Sequence, residues 1–274
     1  MRPICAGRKS QNLNLWEKTN LQPATIRSKT EPRLSRPVQV AEAIKDWVVE
    51  QGLQAGDRLP GEADLIERFG MAKGTIREAM RVLEAQGLIK TRTGPGGGSF
   101  VHEVSQQRAK ALLGNYFYFK DLTIGDIYQL RLTLEPELAA TLAGKLPEEI
   151  LCQLEENIAE YSEPATSADE EREQHVASLR FHAILAEQAQ NPLLGFIIDF
   201  MVNLLADLTV YRRLYSPPNT ELWKQGRDHQ QRLVAALRDG ESDLARSIMA
   251  GHMEIAWTLM RQQEAEVQRR FLSE

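Results

Sequence analysis

The stretch from Gly56 to Glu103, GDRLPGEADLIERFGMAKGTIREAMRVLEAQGLIKTRTGPGGGSFVHE, constrains the fold more than any other part of the chain. Leu65, Ile66 and Phe69 recur at the spacing of one helical face, and Pro60-Gly61-Glu62 ahead of them supplies a helix start. Gly70 ends that helix, because glycine accepts the left-handed conformation in which a chain leaves a helix and reverses. Met71-Ala72-Lys73-Gly74 makes a turn, and Thr75 to Gln86 forms a second helix with Ile76, Ala79, Met80 and Leu83 inward. Gly87 closes it. Leu88 to Arg92 and Ser99 to Val104 then read as strands joined by the tip Gly94-Pro95-Gly96-Gly97-Gly98. An earlier helix, Val38 to Gln51, follows Pro37, carries Val40, Ile44, Trp47 and Val48 on one face and ends at Gly52. The pattern over 38–105 is a winged helix-turn-helix.

The outward face of the second helix carries Lys73, Thr75, Arg77 and Arg81, and the wing adds Arg92 and His102. A helix of this kind sets its first turns against major-groove edges, where guanidinium groups pair with guanine and any cation neutralises phosphate. Charged residues on a short helix are more often only a solvated face, and glycine-rich hairpin tips are common. The order of the signals decides for a DNA interface: capped helix, glycine turn, basic helix, glycine, apolar strand and glycine tip follow one another within one short segment.

A net charge of −5 taken as a whole opposes nucleic acid, but its distribution does not. Residues 1–37 hold eight Lys/Arg against two Asp/Glu, a net of +6; residues 38–105 come to −2, and residues 106–274 to −9. The acid sits in the C-terminal part, and the cations sit on the tail and the recognition face, as association with DNA requires. Residues 1–37, poor in apolar side chains apart from Trp16, read as a disordered basic tail, with either a DNA-backbone role or a solubilising one open to it. Cys5 and Cys152 have no metal or redox spacing, which fits a reducing compartment. With no signal peptide and no apolar run long enough to cross a bilayer, the expected location is the cytoplasm, with no membrane partner.

LPGEADLIERFGMAKGTIREAMRVLEAQGLI resembles the N-terminal domain of the GntR family of bacterial transcription regulators. Thr75, Arg77, Glu78, Ala79, Leu83, Gly87 and Leu88 stand where that family's pattern expects them. There are two departures. The arginine expected directly after Glu62 is Ala63, and the arginine expected before the recognition helix is Lys73, which neutralises phosphate but cannot make a bidentate fork. The family's operator sequence therefore does not transfer.

From Gln106 onward strand signals stop, and helical periodicity runs over 106–118, 123–143, 147–162, 169–189, 192–215, 220–239 and 241–270. Pro136 falls inside the second of these and predicts a kink or a displaced start. The expectation is an all-helical bundle of six or seven helices over 106–274, so the protein as a whole is mainly α.

Four of the five histidines, His175, His182, His229 and His252, lie in this bundle. A single histidine on an apolar face is more often a satisfied core residue than a ligand. Three beside apolar residues on separate helices, His182, His229 and His252, need a shared partner, since burying unpaired imidazoles is costly. Neutral imidazole is also a common ligand of zinc and related ions.

Arg131-Leu132-Thr133-Leu134-Glu135, Phe181-His182, Asn191-Pro192-Leu193-Leu194, His229 ahead of Leu233, and Asp243 to His252 are similar to the FadR C-terminal-domain (FCD) branch of the family. That resemblance implies a dimerising helical domain, a divalent metal (zinc first, nickel or manganese as alternatives) held by His182, His229 and His252, and a small carboxylate effector. The Asp expected four residues before the first histidine is Ser178, which removes the only anionic ligand; direct binding of an anion by the histidines is the alternative. Arg131 matches the pocket arginine, with Tyr128 and Arg180 as further effector-binding candidates and Arg212 and Arg213 as weaker ones. For Arg131 an i,i+4 ion pair with Glu135 is the competing role.

These readings converge on a homodimeric regulator that binds double-stranded operator DNA, with repression relieved by a small carboxylate as the default. The competitor from another class is a metal-dependent enzyme using the three histidines.

Overall fold

The computed structural model describes residues 34–120, 122–211, 214 and 218–273. They form two units that divide between Glu103 and Val104.

In the first unit, α1 (Arg36–Glu50), α2 (Glu62–Phe69) and α3 (Lys73–Gln86) precede β1 (Ile89–Arg92) and β2 (Gly98–Val101). Val40, Ala41 and Ile44 of α1, Leu65 of α2 and Ile76, Ala79 and Leu83 of α3 are buried together with Leu59 and Ile89. The strands pair antiparallel with Ile89 opposite Val101 and Arg92 opposite Gly98. The wing is also tied to the chain ahead of α2: Arg58 bridges Phe100, the Leu59 amide donates to the Ser99 carbonyl at 2.8 Å, and the Val101 amide donates to Asp57 at 2.8 Å. This third edge, which leaves no apolar alternation to read, is not among the sequence expectations.

The recognition helix begins at Lys73 rather than Thr75. Gly70, at φ +61°, makes the reversal by itself, so Met71 and Ala72 suffice as connection and Lys73 joins the first helical turn. The strands are shorter than expected at both outer ends, although the His102 amide still donates to the Leu88 carbonyl at 2.8 Å, one rung beyond the Ile89–Val101 pair.

The second unit holds α4 (Gln106–Tyr118), α5 (Ile124–Leu142), α6 (Glu148–Ala159), α7 (Ala168–Glu187), α8 (Pro192–Tyr211), α9 (Thr220–Asp239) and α10 (Ser242–Ser273). α5 does not start late at Pro136. A capping box fixes its beginning, with the Thr123 hydroxyl accepting from the Asp126 amide at 3.1 Å and the Asp126 carboxylate accepting from the Thr123 amide at 2.9 Å, and the helix continues through the buried proline.

Over 18 residues, Pro192–Thr209 of α8 reaches a mean hydropathy of 1.6, so one helix is long and apolar enough to cross a membrane, contrary to the expectation of none. In this fold Ile198, Met201, Val202 and Leu205 of that helix are buried in the bundle core, which accounts for the apolar run. The expectations for the tail, including Cys5 and Trp16, and for Arg212 and Arg213 lie outside the described residues.

Candidate DNA interface and candidate effector site

In the first unit, the start of α3, the start of α2 and the wing line one groove, with Arg58, Glu62, Arg77, Arg81, Thr91 and Ser99 on its walls. Lys73 and Arg77 are exposed one turn apart on α3, and Glu62 takes both, with Arg77 Nε at 2.7 Å and Lys73 Nζ at 3.4 Å. The Arg77 hydrogen bond foremost holds the Glu62 carboxyl below its ordinary range. Thr75 lies half-buried between them. Arg81 is exposed and pairs with Glu78 at 3.1 Å. Arg92 lies over the Phe100 ring at 4.7 Å, and His102 is exposed just past β2.

Two residues of this groove have roles that no local sequence pattern announces. Arg58 donates from Nη2 to the Gly97 carbonyl at 2.7 Å, bracing the wing tip, and Glu62 holds the recognition cations in the free chain. An acid at the first position of a helix favours its amino end, which hides the second role. All these ion pairs are exposed, contribute little to stability and are exchangeable for phosphate contacts.

In the second unit, one face of α7 carries Glu171, His175, Ser178 and His182 at i, i+4, i+7 and i+11, all of them lining a cavity shared with α5, α9 and α10. Its walls include Tyr128 and Arg131 of α5, Gly226 of α9, and His252 and Met253 of α10. The free room is about 50 Å³, enough for a few waters or one small anion.

Arg131 and Glu135 are both 1% exposed. Arg131 donates from Nε to Glu135, so the ion-pair role holds, yet Arg131 also faces the cavity. The other carboxylate oxygen of Glu135 meets His182 Nδ1 at 2.5 Å. Burial alone would push the Glu135 carboxyl up; Arg131 and His182 outweigh it and hold it well below the usual range. With Nδ1 bonded to a carboxylate, His182 presents Nε2 to His252 Nε2 at 3.2 Å, and the two rings stack. His229 places Nδ1 on the Gln225 carbonyl at 2.6 Å and stacks on His252. Burial lowers the pKa of His182 and of His252, and the neighbouring Arg131 charge acts in the same direction on both. The three predicted imidazoles therefore converge from α7, α9 and α10.

Among the described residues, however, no group of three or more His, Cys, Asp or Glu side chains is arranged to hold a metal ion. The donor chemistry fits a cation in part. Two nitrogens bound to one tetrahedral zinc lie about 3.3 Å apart, near the His182–His252 spacing, and the Glu135 and Gln225 oxygens occupy the Nδ1 sides as outer partners of metal-bound histidines do. Ser178 is engaged elsewhere, since Gln230 Nε2 donates to its carbonyl at 3.1 Å and its hydroxyl at 3.4 Å, while Tyr161 donates to Gln230 Oε1 at 2.6 Å. A carboxylate does reach the histidine cluster, but it is Glu135 of α5, not a neighbour on α7.

Tyr128 is buried with the Arg131 guanidinium 5.2 Å from its ring centre, and burial raises its hydroxyl pKa. Arg180 does not join the site. At about 100° per residue it stands on another face of α7 from Ser178 and His182, and it is 53% exposed in an ion pair with Glu160. His175 lines the cavity as well, beyond the expected His182, His229 and His252; the sequence signal for it is its place seven residues before His182, on the same helical face.

The geometry defines a class: a winged-helix DNA-binding unit joined to a helical unit that encloses a small polar cavity. Residues 37–101 match the bacterial regulatory proteins of the gntR family and residues 126–255 match the FCD domain, so the chain belongs to the GntR family of transcription regulators, with an FCD domain as its C-terminal part. It is 26% identical over 204 residues to the HTH-type transcriptional regulator LutR of Bacillus subtilis (strain 168), covering 73% of this chain and 90% of that one. It is likewise 26% identical over 218 residues to the Uxu operon regulator of Haemophilus influenzae, covering 75% of each. The solved structure of Streptococcus agalactiae GntR shares the fold at a TM-score of 0.55 and 21% identity, over 82% of this chain and 99% of that one. These relatives are transcription regulators, and the protein is a DNA-binding regulator rather than an enzyme.

Proposed function

We propose that the protein is a cytoplasmic, homodimeric repressor of a metabolic operon whose hold on DNA is released by a small carboxylate bound in the cavity of the second unit. The observation that carries the reading is Arg131, buried on the cavity wall with its Nη2 unpartnered while its Nε is bonded to Glu135. A buried guanidinium with a donor left over is a site for a carboxylate, which accepts charge-assisted hydrogen bonds. In the first unit Lys73, Thr75, Arg77 and Arg81 supply base and phosphate contacts, with Arg92 and His102 as contacts from the wing. Two such units on a two-fold axis read the halves of a pseudo-palindrome. The ligand changes operator affinity by the difference in its affinity for the two arrangements of the dimer.

One observation favours a divalent ion in the same site. The Arg131 charge is already balanced by Glu135, and the cavity histidines are held neutral, so a bound carboxylate calls for a further positive charge. His182, His229 and His252 would hold the ion, which supplies that charge when bound. Elemental analysis of the purified protein and of a His182→Phe variant tests this: about one zinc, nickel or manganese per chain that is lost in the variant supports it, and a metal-free native protein ends it.

The regulator reading is tested by selecting short duplexes from a random pool with the full chain, then titrating the winner at several salt concentrations with and without small carboxylates. Salt-dependent binding to a two-halved site, weakened by an acid, is the expected outcome. Binding that ignores salt would sink the DNA half, and binding indifferent to every acid would sink the effector half.

A further inference from the structure

Glu62 and Glu84 both line the groove of the winged unit, but they are held differently. Glu84 accepts from the Thr91 amide at 2.9 Å, a backbone partner that DNA does not take away. The partners of Glu62 among the described residues are Lys73 and Arg77, one on each carboxylate oxygen, both of them cations of the proposed DNA contact. Ala63, exposed beside it, adds no positive charge, so the start of α2 offers the groove an acid alone. The Arg77 hydrogen bond favours the ionised form of Glu62, and a carboxylate accepts hydrogen bonds and never donates. Once its cations are on phosphate or guanine, this carboxylate lies close to the phosphates and is repelled unless a base brings it a hydrogen. On the major-groove edge cytosine N4 and adenine N6 donate, whereas the polar atoms of guanine and thymine only accept.

We propose that Glu62 is a specificity-determining residue of the DNA interface, which admits cytosine or adenine at one position of each half-site through the amino group of the base and turns away guanine and thymine. This rests on the reading of α3 as the base-contacting helix and goes further by adding an acceptor from α2. The two kinds of contact act in opposite directions. Lys73, Arg77 and Arg81 raise affinity for every duplex by neutralising phosphate, while Glu62 lowers it for every duplex that lacks the amino group in the right place. Discrimination therefore comes from rejecting wrong sites as well as from holding right ones. Exposure of the Glu62 pairs keeps the exchange inexpensive, because the cations trade one anion for another.

Competition binding with the full chain tests it, using a duplex selected from a random pool and its variants with each base pair in turn at every half-site position. At one position the native protein should favour cytosine or adenine over guanine and thymine by about fivefold or more. Glu62→Gln keeps the shape, removes the charge and adds an amide that donates to guanine and thymine, so it should erase that preference and bind random duplex more tightly. Replacing the preferred base by its analogue without the amino group, pyrimidinone for cytosine or purine for adenine, should weaken native binding to the level of the wrong bases. If the analogue binds as well as the natural base, or if Glu62→Gln changes all sites by one common factor, the inference is wrong while the reading of α3 stands. It is equally wrong if Arg77→Ala erases the same preference as completely, since Glu62 then acts only by holding Arg77. A native chain without base preference at any position overturns both. The analogue series on the native chain decides the matter even where a variant does not fold.

Discussion

The two units handle charge in opposite ways. In the winged unit Lys73, Arg77 and Arg81 stand in water, each in an ion pair with an exposed acid. In the helical unit Arg131 and Glu135 are withdrawn from solvent and locked to each other and to His182. Exposed pairs are weak and exchangeable, which suits cations that have to leave Glu62 for phosphate. Buried pairs are costly to form and costlier to break, which suits the preformed wall of the proposed effector site. The proposed DNA contact and the proposed effector site are thus built from the same residue types, and burial separates them.

Removing one carboxylate from each unit separates them most. Glu135→Leu leaves Arg131 as an unpaired buried charge and should lower the stability of the helical unit by about 3–5 kcal/mol in denaturant unfolding. Glu62→Gln should leave the unfolding midpoint of the winged unit unchanged, and an equal loss in both would erase the contrast between exposed and buried pairs.

Acid sharpens the comparison next. Burial, aided by the Arg131 charge, lowers the His175 pKa to about 4 from the ordinary 6.5. The unfolded chain therefore takes up a proton between those values that the folded unit refuses, and stability falls as pH drops through that window. Going from pH 7 to pH 5 should remove roughly 2 kcal/mol through this residue, with His182 and His252 adding in the same direction. His175→Phe should flatten the pH dependence of the helical unit's thermal midpoint; an unchanged slope would show that His175 is not buried neutral.

On DNA the order reverses. Arg77→Ala should cost about 1–3 kcal/mol and relax preference at one base pair, whereas Lys73→Ala should weaken all sequences alike and reduce the salt slope by about 1. Selection and salt titration on both variants check this, and identical behaviour would remove the distinction between reading and positioning. Smallest of all, Arg180→Ala should leave acid binding untouched, since Arg180 pairs with Glu160 outside the cavity.

The winged unit was legible almost to the residue because its signals are local. Gly70 and Gly87 take left-handed conformations at the two helix ends, and the glycine tip joins two strands that pair directly. The helices of the second unit were legible for the same reason, down to the breaks at Gly144 and Gly240. Its chemistry was legible only in outline. His182, His229 and His252 announced themselves by type, but Glu135 reaching His182 across 47 residues, and Gln230 occupying Ser178 across 52, leave no mark in any window of sequence.

What the sequence determined by itself, then, is the order of elements, the basic recognition face and the helical unit that carries the histidines, because caps, turns and periodicity act over a few residues. Only the tertiary structure decided which face of α7 looks inward, that Arg180 stays outside and His175 comes in, and that Arg131 and Gln174 end beside the same cavity with polar atoms unmet. Those choices belong to the packing of α5, α7, α9 and α10 against one another, which brings together side chains far apart in the sequence.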